Sequence, residues 1–244
     1  MTTNSKNTWF SAPTTKNLVI AWTLGIGGCD ILAWLGFRYD GPFRLAAGLW
    51  MLVTGITVWR KWYPGKIDVF SSTRWWLGLI IILVILLHPI FGGLPSIQFE
   101  WWNHSALIYF FWCVIVIGFA EELWWRGIWF EIWKGKPVIC VLAGSLAFTA
   151  YHFPFQGWEV MIGSGLIINV FFMGLLFAAA RYRGTSIGVL ALAHGLIDWF
   201  QGGIQWKQQT GHIPFVICCL VITTILLGAK GKDQTQAYSQ GALQ

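Results

Sequence analysis

The sequence is short of charge. Asp, Glu, Lys and Arg supply 11% of its 244 residues, where an ordinary soluble domain carries roughly a quarter. That shortage excludes a conventional water-soluble fold. No internal repeat is present, and the tryptophan clusters recur without a fixed period. No metal-binding cysteine spacing is present either. Cys29, Cys113, Cys140, Cys218 and Cys219 fall inside apolar runs and read as inert fillers, the usual role of buried free thiols. Ile26-Gly27-Gly28-Cys29 has a loose likeness to a lipobox, but the apolar run continues to Phe37, so the segment reads as an uncleaved first helix. Long polar stretches are missing too. Outside the two tails, 1–17 and 229–244, no segment is polar enough for a separate soluble domain.

What fills the chain is apolar: 56% of residues are hydrophobic and 18 are Trp. A membrane-crossing helix needs about 20 mostly apolar residues. Eight runs qualify or come close: 18–37, 43–59, 75–94, 105–130, 137–155, 162–180, 185–200 and 213–228. The reading is an all-α, polytopic transmembrane bundle of about eight spans. A single domain covers 18–228, and the two tails are cytoplasmic.

The net charge of +6 invites a nucleic-acid partner, but its distribution argues for a bilayer instead. With the N-terminus inside and eight crossings, the cytoplasmic side holds Lys6, Lys16, Arg60, Lys61, Lys66, Arg74, Arg126, Lys134, Lys136, Arg181, Arg183, Lys230 and Lys232. The outer side keeps Arg38, Arg44 and Lys207. The ratio of 13 to 3 favours both termini inside. Trp59, Trp62, Tyr63, Trp75, Trp76, Trp101 and Trp102 cluster near segment ends, as an interfacial aromatic belt does.

An ionisable group inside a membrane is costly, about 2.5–3.5 kcal/mol on insertion scales, and marks function by default. Asp40, Asp68, Glu100, Glu159 and Asp233 fall in expected loops or tails, and His104 and His212 near segment ends. Asp30 and His88 lie within expected spans without a partner in the sequence. Inside the spans remain Glu121, Glu122, Arg126, Glu131, His152, His194 and Asp198. Glu122 and Arg126 stand four apart, share a helix face and can neutralise each other. Glu121 points about 100° away and lacks that partner. A positioned, desolvated carboxylate without an ion pair is what a general base requires. Glu131 lies nearer the cytoplasmic end, beside Lys134. Phe148 and His152 are four apart on the fifth run, and His194 and Asp198 four apart on the seventh. A His and a carboxylate so spaced can ligate one metal, or the Asp can hold the imidazole in one tautomer.

Together, Glu121-Glu122-Leu-Trp-Trp-Arg126, Phe148-Thr-Ala-Tyr-His152 and His194-Gly-Leu-Ile-Asp198 resemble the ordered EExxxR, FxxxH and HxxxN/D motifs of the CPBP family of intramembrane proteases. That family includes the CAAX prenyl endopeptidases and the Abi-type bacteriocin-processing or immunity-associated proteins. The resemblance covers about residues 105–200. It implies an intramembrane endopeptidase acting on a membrane-anchored peptide or protein in a bacterial inner membrane. In it Glu121 and His152 would activate water, and His194 and Asp198 would stabilise the oxyanion. Glu122 and Arg126 would be the structural ion pair, and Trp125, with Trp124 and Phe148, the pocket wall. No cofactor is obligatory on this reading. Zinc is the alternative, held by Glu121, His152, His194 and Asp198. An ionised Asp only accepts hydrogen bonds, so Asp198 as an oxyanion donor must carry a proton or act on His194 instead. Two other classes are open. One is a non-catalytic CPBP-type scaffold or bacteriocin-immunity protein binding a partner membrane protein. The other is a proton relay or transporter, for which two symmetric halves with broken helices would be expected and are not visible.

Overall fold

The computed structural model describes residues 14–39, 42–70, 74–92, 97–99, 104–206 and 212–228; nearly all of both tails lies outside these. The chain is helical. It runs through α1 (15–39), α2 (Pro42–Trp62), α3 (Trp75–Gly92), β1 (Ile97–Phe99), α4 (104–132), α5 (137–151), α6 (Phe153–Gln156), α7 (158–163), α8 (Leu166–Tyr182), α9 (Ile187–Gly203), β2 (Ile204–Trp206) and α10 (His212–Gly228). Among the described residues, eight long helices coincide with the eight apolar runs. Two of them have a stretch long and apolar enough to cross a membrane by themselves, Thr15–Gly36 in α1 and Leu107–Ile132 in α4; Leu166–Tyr182, Ile213–Gly228 and others are shorter apolar helices.

Several helices are not uniform. α4 widens into π turns at Trp112–Gly118 and again at Leu123–Ile128, leaving one α turn, Phe119–Glu122, between them. α1 and α5 carry π turns at Thr23–Gly27 and Ile139–Ala143. Such widened turns are rare and concentrate at functional sites.

α4 lies at the centre, between two apolar clusters. One joins α1, α2, α4 and α5 through Ala21, Cys29, Met51, Trp124, Trp125, Phe148 and Tyr151. The other joins α3, α8, α9 and α10 through Leu77, Ile81, Leu176, Phe177, Leu190, Ile197 and Cys219. Trp124 explains why the first two helices, which carry no motif, belong to the same unit. Its indole fills a slot that two glycines leave open: a Cβ on Gly25 would stand 2.3 Å from the ring, and one on Gly55 2.9 Å. Its Nε1 donates to Met51 O at 3.0 Å. Trp124 is therefore a packing residue rather than a pocket wall. The cysteines are all free, and Cys29, fully buried in mid-helix, donates to Ala47 O at 3.3 Å.

The two ends of the bundle are distinct. At one, the 63–70 loop is tied to the start of α9 by Ile187 N–H to Asp68 O and Gly188 N–H to Val69 O, and Arg74 donates to Arg183 O. Asp68, Lys134, Arg181 and Gly184 line one cleft there. This end thus gathers the basic loops expected on the cytoplasmic side. At the other, β1 and β2 pair antiparallel, Ile97 opposite Trp206.

Candidate active site

The site forms where α4 crosses α9. Glycine makes the crossing close. A Cβ at Gly195 would lie 2.3 Å from Val114 Cα, and one at Gly118 2.6 Å from Ala191 O. Gly118 precedes Glu121 by one turn and Gly195 adjoins His194, so the closest approach of the backbones also sets the carboxylates against the imidazole. The expected motif residues of these two helices meet here, together with those of α5.

Glu122 is fully buried and its Oε1 takes two donors. Arg126 Nη1 lies 3.1 Å away and His194 Nδ1 2.8 Å away. The ion pair read from the four-residue spacing is present. The second contact is not what the spacing suggested: Asp198 does not hold the imidazole's Nδ1; Glu122 does. With Nδ1–H donating to Glu122, Nε2 is the nitrogen turned to the remaining carboxylates. It stands 3.6 Å from Glu121 Oε2 and 3.6 Å from Asp198 Oδ2. Glu121 is 7% exposed and its Oε2 makes no hydrogen bond. A buried acceptor in that condition calls for a water or ligand partner.

Arg126 is further fixed by its own surroundings. Nη2 donates to Gly174 O at 3.4 Å, and the guanidinium lies 4.2 Å from the centroid of Phe148. Phe148 in turn touches His152 and His194, at 4.5 and 6.0 Å between centroids. His152 sits where the fifth helical run breaks, just before Pro154, which occupies the opening turn of α6. Its Nδ1 is 2.8 Å from Phe148 O, an acceptor that fixes the proton on Nδ1 and leaves Nε2 as the nitrogen with a lone pair. The four-residue spacing sets His152 on the Phe148 ring, which also faces His194. Glu131 stays outside the site, 3.6 Å from Lys134.

Two residues that the motifs do not include help to build the site. Tyr151 packs at 5.3 Å on His152 and donates its hydroxyl to Met51 Sδ at 3.1 Å, with Cys29 Sγ at 3.6 Å. Trp125 packs on Tyr151 at 5.7 Å and on Phe148 at 6.0 Å. Tyr151 carried no signal in the sequence beyond its place next to His152.

No group of three or more His, Cys, Asp or Glu side chains that could hold a metal ion is found among the described residues.

Residues 101–200 match the family model of the type II CAAX prenyl endopeptidase Rce1-like proteins, consistent with a CPBP family protease. No curated protein and no solved structure matches the chain.

Proposed function

We propose that this protein is an intramembrane endopeptidase that hydrolyses a peptide bond in a membrane-anchored peptide or protein. The observation that carries the reading is Glu121: a buried carboxylate with an unbonded oxygen, set beside Glu122, whose Oε1 is held by Arg126 and His194 while its Oε2 is likewise unbonded. Glu121 takes a proton from water as that water attacks the peptide carbonyl. His152, whose Nδ1–H is taken by Phe148 O, offers Nε2 as a second acceptor for the water. His194 acts in its imidazolium form: Nδ1–H stays on Glu122 and Nε2–H meets the oxyanion, and Asp198 assists when protonated. The proton held by Glu121 then passes to the leaving amine.

The protein lies in the membrane with both termini and the basic end in the cytoplasm, and bacterial inner membrane is the setting that this chain suits. The substrate is a single-span or lipid-anchored chain reaching the site from the bilayer.

The test compares membranes of cells carrying wild-type protein with those carrying Glu121→Gln, reading new N-termini of membrane proteins by mass spectrometry. Neo-N-termini present only with Glu121 are expected, while the variant accumulates folded in the membrane. Identical N-terminal profiles would leave the scaffold or immunity reading, in which partner capture survives the substitution.

A further inference from the structure

The tryptophans around the site treat their indole N–H groups differently. Trp50 donates to Leu24 O at 2.8 Å, Trp124 to Met51 O at 3.0 Å, and Trp129 to Ile139 O at 3.3 Å. Trp125 is 4% exposed, yet its Nε1 has no acceptor. A buried N–H without a protein partner is uncommon and costs stability, which leaves the donor open to a partner from outside. Trp125 follows Glu121 by four residues, within about 40° of it around an α-helix, and closer where the turn widens as it does at Leu123–Ile128. Two residues one turn apart on one face of α4 thus carry an unbonded carboxylate oxygen and an unbonded N–H. A peptide backbone needs both an acceptor and a donor.

We infer that Trp125 is a substrate-binding residue whose indole N–H donates to a backbone carbonyl of the substrate flanking the scissile bond. The proposal rests on the protease reading for its substrate class. It also accounts for the ring contacts. Trp22, at 5.1 Å, together with Phe148 and Tyr151, fixes the indole plane from three sides, so the N–H is held in place before substrate arrives. Preorganised donors lose little entropy on binding. The donor set of the motif residues is short in this chain, because Asp198 accepts rather than donates when ionised, and Trp125 makes up a donor.

The test replaces Trp125 with benzothienylalanine, which keeps the bicyclic shape and puts sulfur in place of N–H. Trp59, whose buried Nε1 also lacks an acceptor, receives the same replacement as a control. Full-length protein in nanodiscs is assayed against a pool of farnesylated and unmodified single-span peptides. A second readout is the 15N-indole spectrum of Glu121→Gln protein with the same pool, the Trp125 signal being assigned by its loss in Trp125→Phe. Expected at position 125 is a fall of about ten-fold in kcat/KM, carried by KM, the worth of one buried hydrogen bond, with Tm unchanged; position 59 stays within two-fold. The Trp125 N–H signal should move downfield on peptide addition. If peptides are cleaved while the signal stays put, or the sulfur variant keeps full activity, the donor role is overturned and the protease reading stands. A signal that moves without any cleavage supports the donor role and counts against the protease. Neither cleavage nor movement with any peptide overturns both.

Discussion

His194 Nδ1 lies 2.8 Å from Glu122 Oε1, the same oxygen that Arg126 Nη1 approaches at 3.1 Å. One carboxylate oxygen thus organises a cation on its own helix and an imidazole on another. Glu122 sets which way the His194 ring faces, and through Arg126 it settles a charge that would otherwise be buried alone.

Removing either partner of that pair should show first in stability. Arg126→Ala strands Glu122 in an apolar interior, at a cost of about 3–5 kcal/mol for a broken buried pair. Glu122→Gln keeps an acceptor oxygen for His194 but leaves the guanidinium without its charge partner. Both variants should unfold at clearly lower temperature in detergent. A paired Arg126→Ala/Glu122→Leu variant should recover part of the loss without recovering activity, because His194 then lacks its Nδ1 acceptor. Thermal melts and cleavage assays on the three proteins decide this, and an Arg126→Ala protein as stable as wild type would refute the structural role of the pair.

The glycine crossing gives a second prediction. Gly195→Ala would force its Cβ to within 2.3 Å of Val114 Cα, where the obstacle is backbone and cannot swing aside. α4 and α9 must then part, and the carboxylates leave His194. Low folded yield and loss of cleavage are expected. Gly163→Ala, with nothing within 4 Å of the added carbon, should behave as wild type in a size-exclusion profile and in activity. Full activity in Gly195→Ala would show that the helices approach differently.

Orientation is checked by fusing reporters after Lys66 and Arg183, which should read cytoplasmic, and near Gly93 and Gly157, which should read outer. The loops carrying Lys66 and Arg183 meet at one end through Asp68, Ile187 and Arg74, so their two reporters must at least agree with each other. Disagreement between them would contradict the bundle itself, whereas a shared outer signal would invert the topology and leave the fold intact.

The sequence made some of this legible and not the rest, for reasons that the residues show. Apolar runs are local, so all eight long helices could be read with ends off by a few residues. The Glu122–Arg126 pair was legible because both residues sit on one helix at a fixed spacing. The Glu122–His194 bond was not, since its partners lie 72 residues apart and depend on how α9 is rotated against α4. Asp198, four residues from His194, was the local candidate for holding that ring, and helix packing gave the task to Glu122. The π turns of α4, on either side of Glu121 and through Trp125, leave no mark in residue spacing. Gly118 and Gly195 were visible as small residues beside the motifs, but only packing shows them to be facing each other. The approach of His152 to Phe148 was legible from their four-residue spacing; the approach of His194 to the same ring was not, since it depends on how α5 and α9 pack.

The sharpest test of the chemistry is at position 198. Asp198 Oδ2 stands 3.6 Å from His194 Nε2, as does Glu121 Oε2. Two readings follow from that placement. As an oxyanion partner, position 198 is useful to the extent that it can donate, and an ionised Asp cannot. Asp198→Asn supplies an N–H₂ donor of the same size, so cleavage should be kept or rise. As a metal ligand, position 198 must be anionic, and a neutral amide binds zinc poorly, so the same substitution should lower metal content and cleavage together. Retained activity is the expected result. Wild type and variant are compared for cleavage before and after chelation, with metal measured per protein. Stoichiometric zinc in wild type, lost with activity in Asp198→Asn, would replace the glutamate-and-water mechanism with a metal-dependent one, while leaving Glu122 and Arg126 in their structural place.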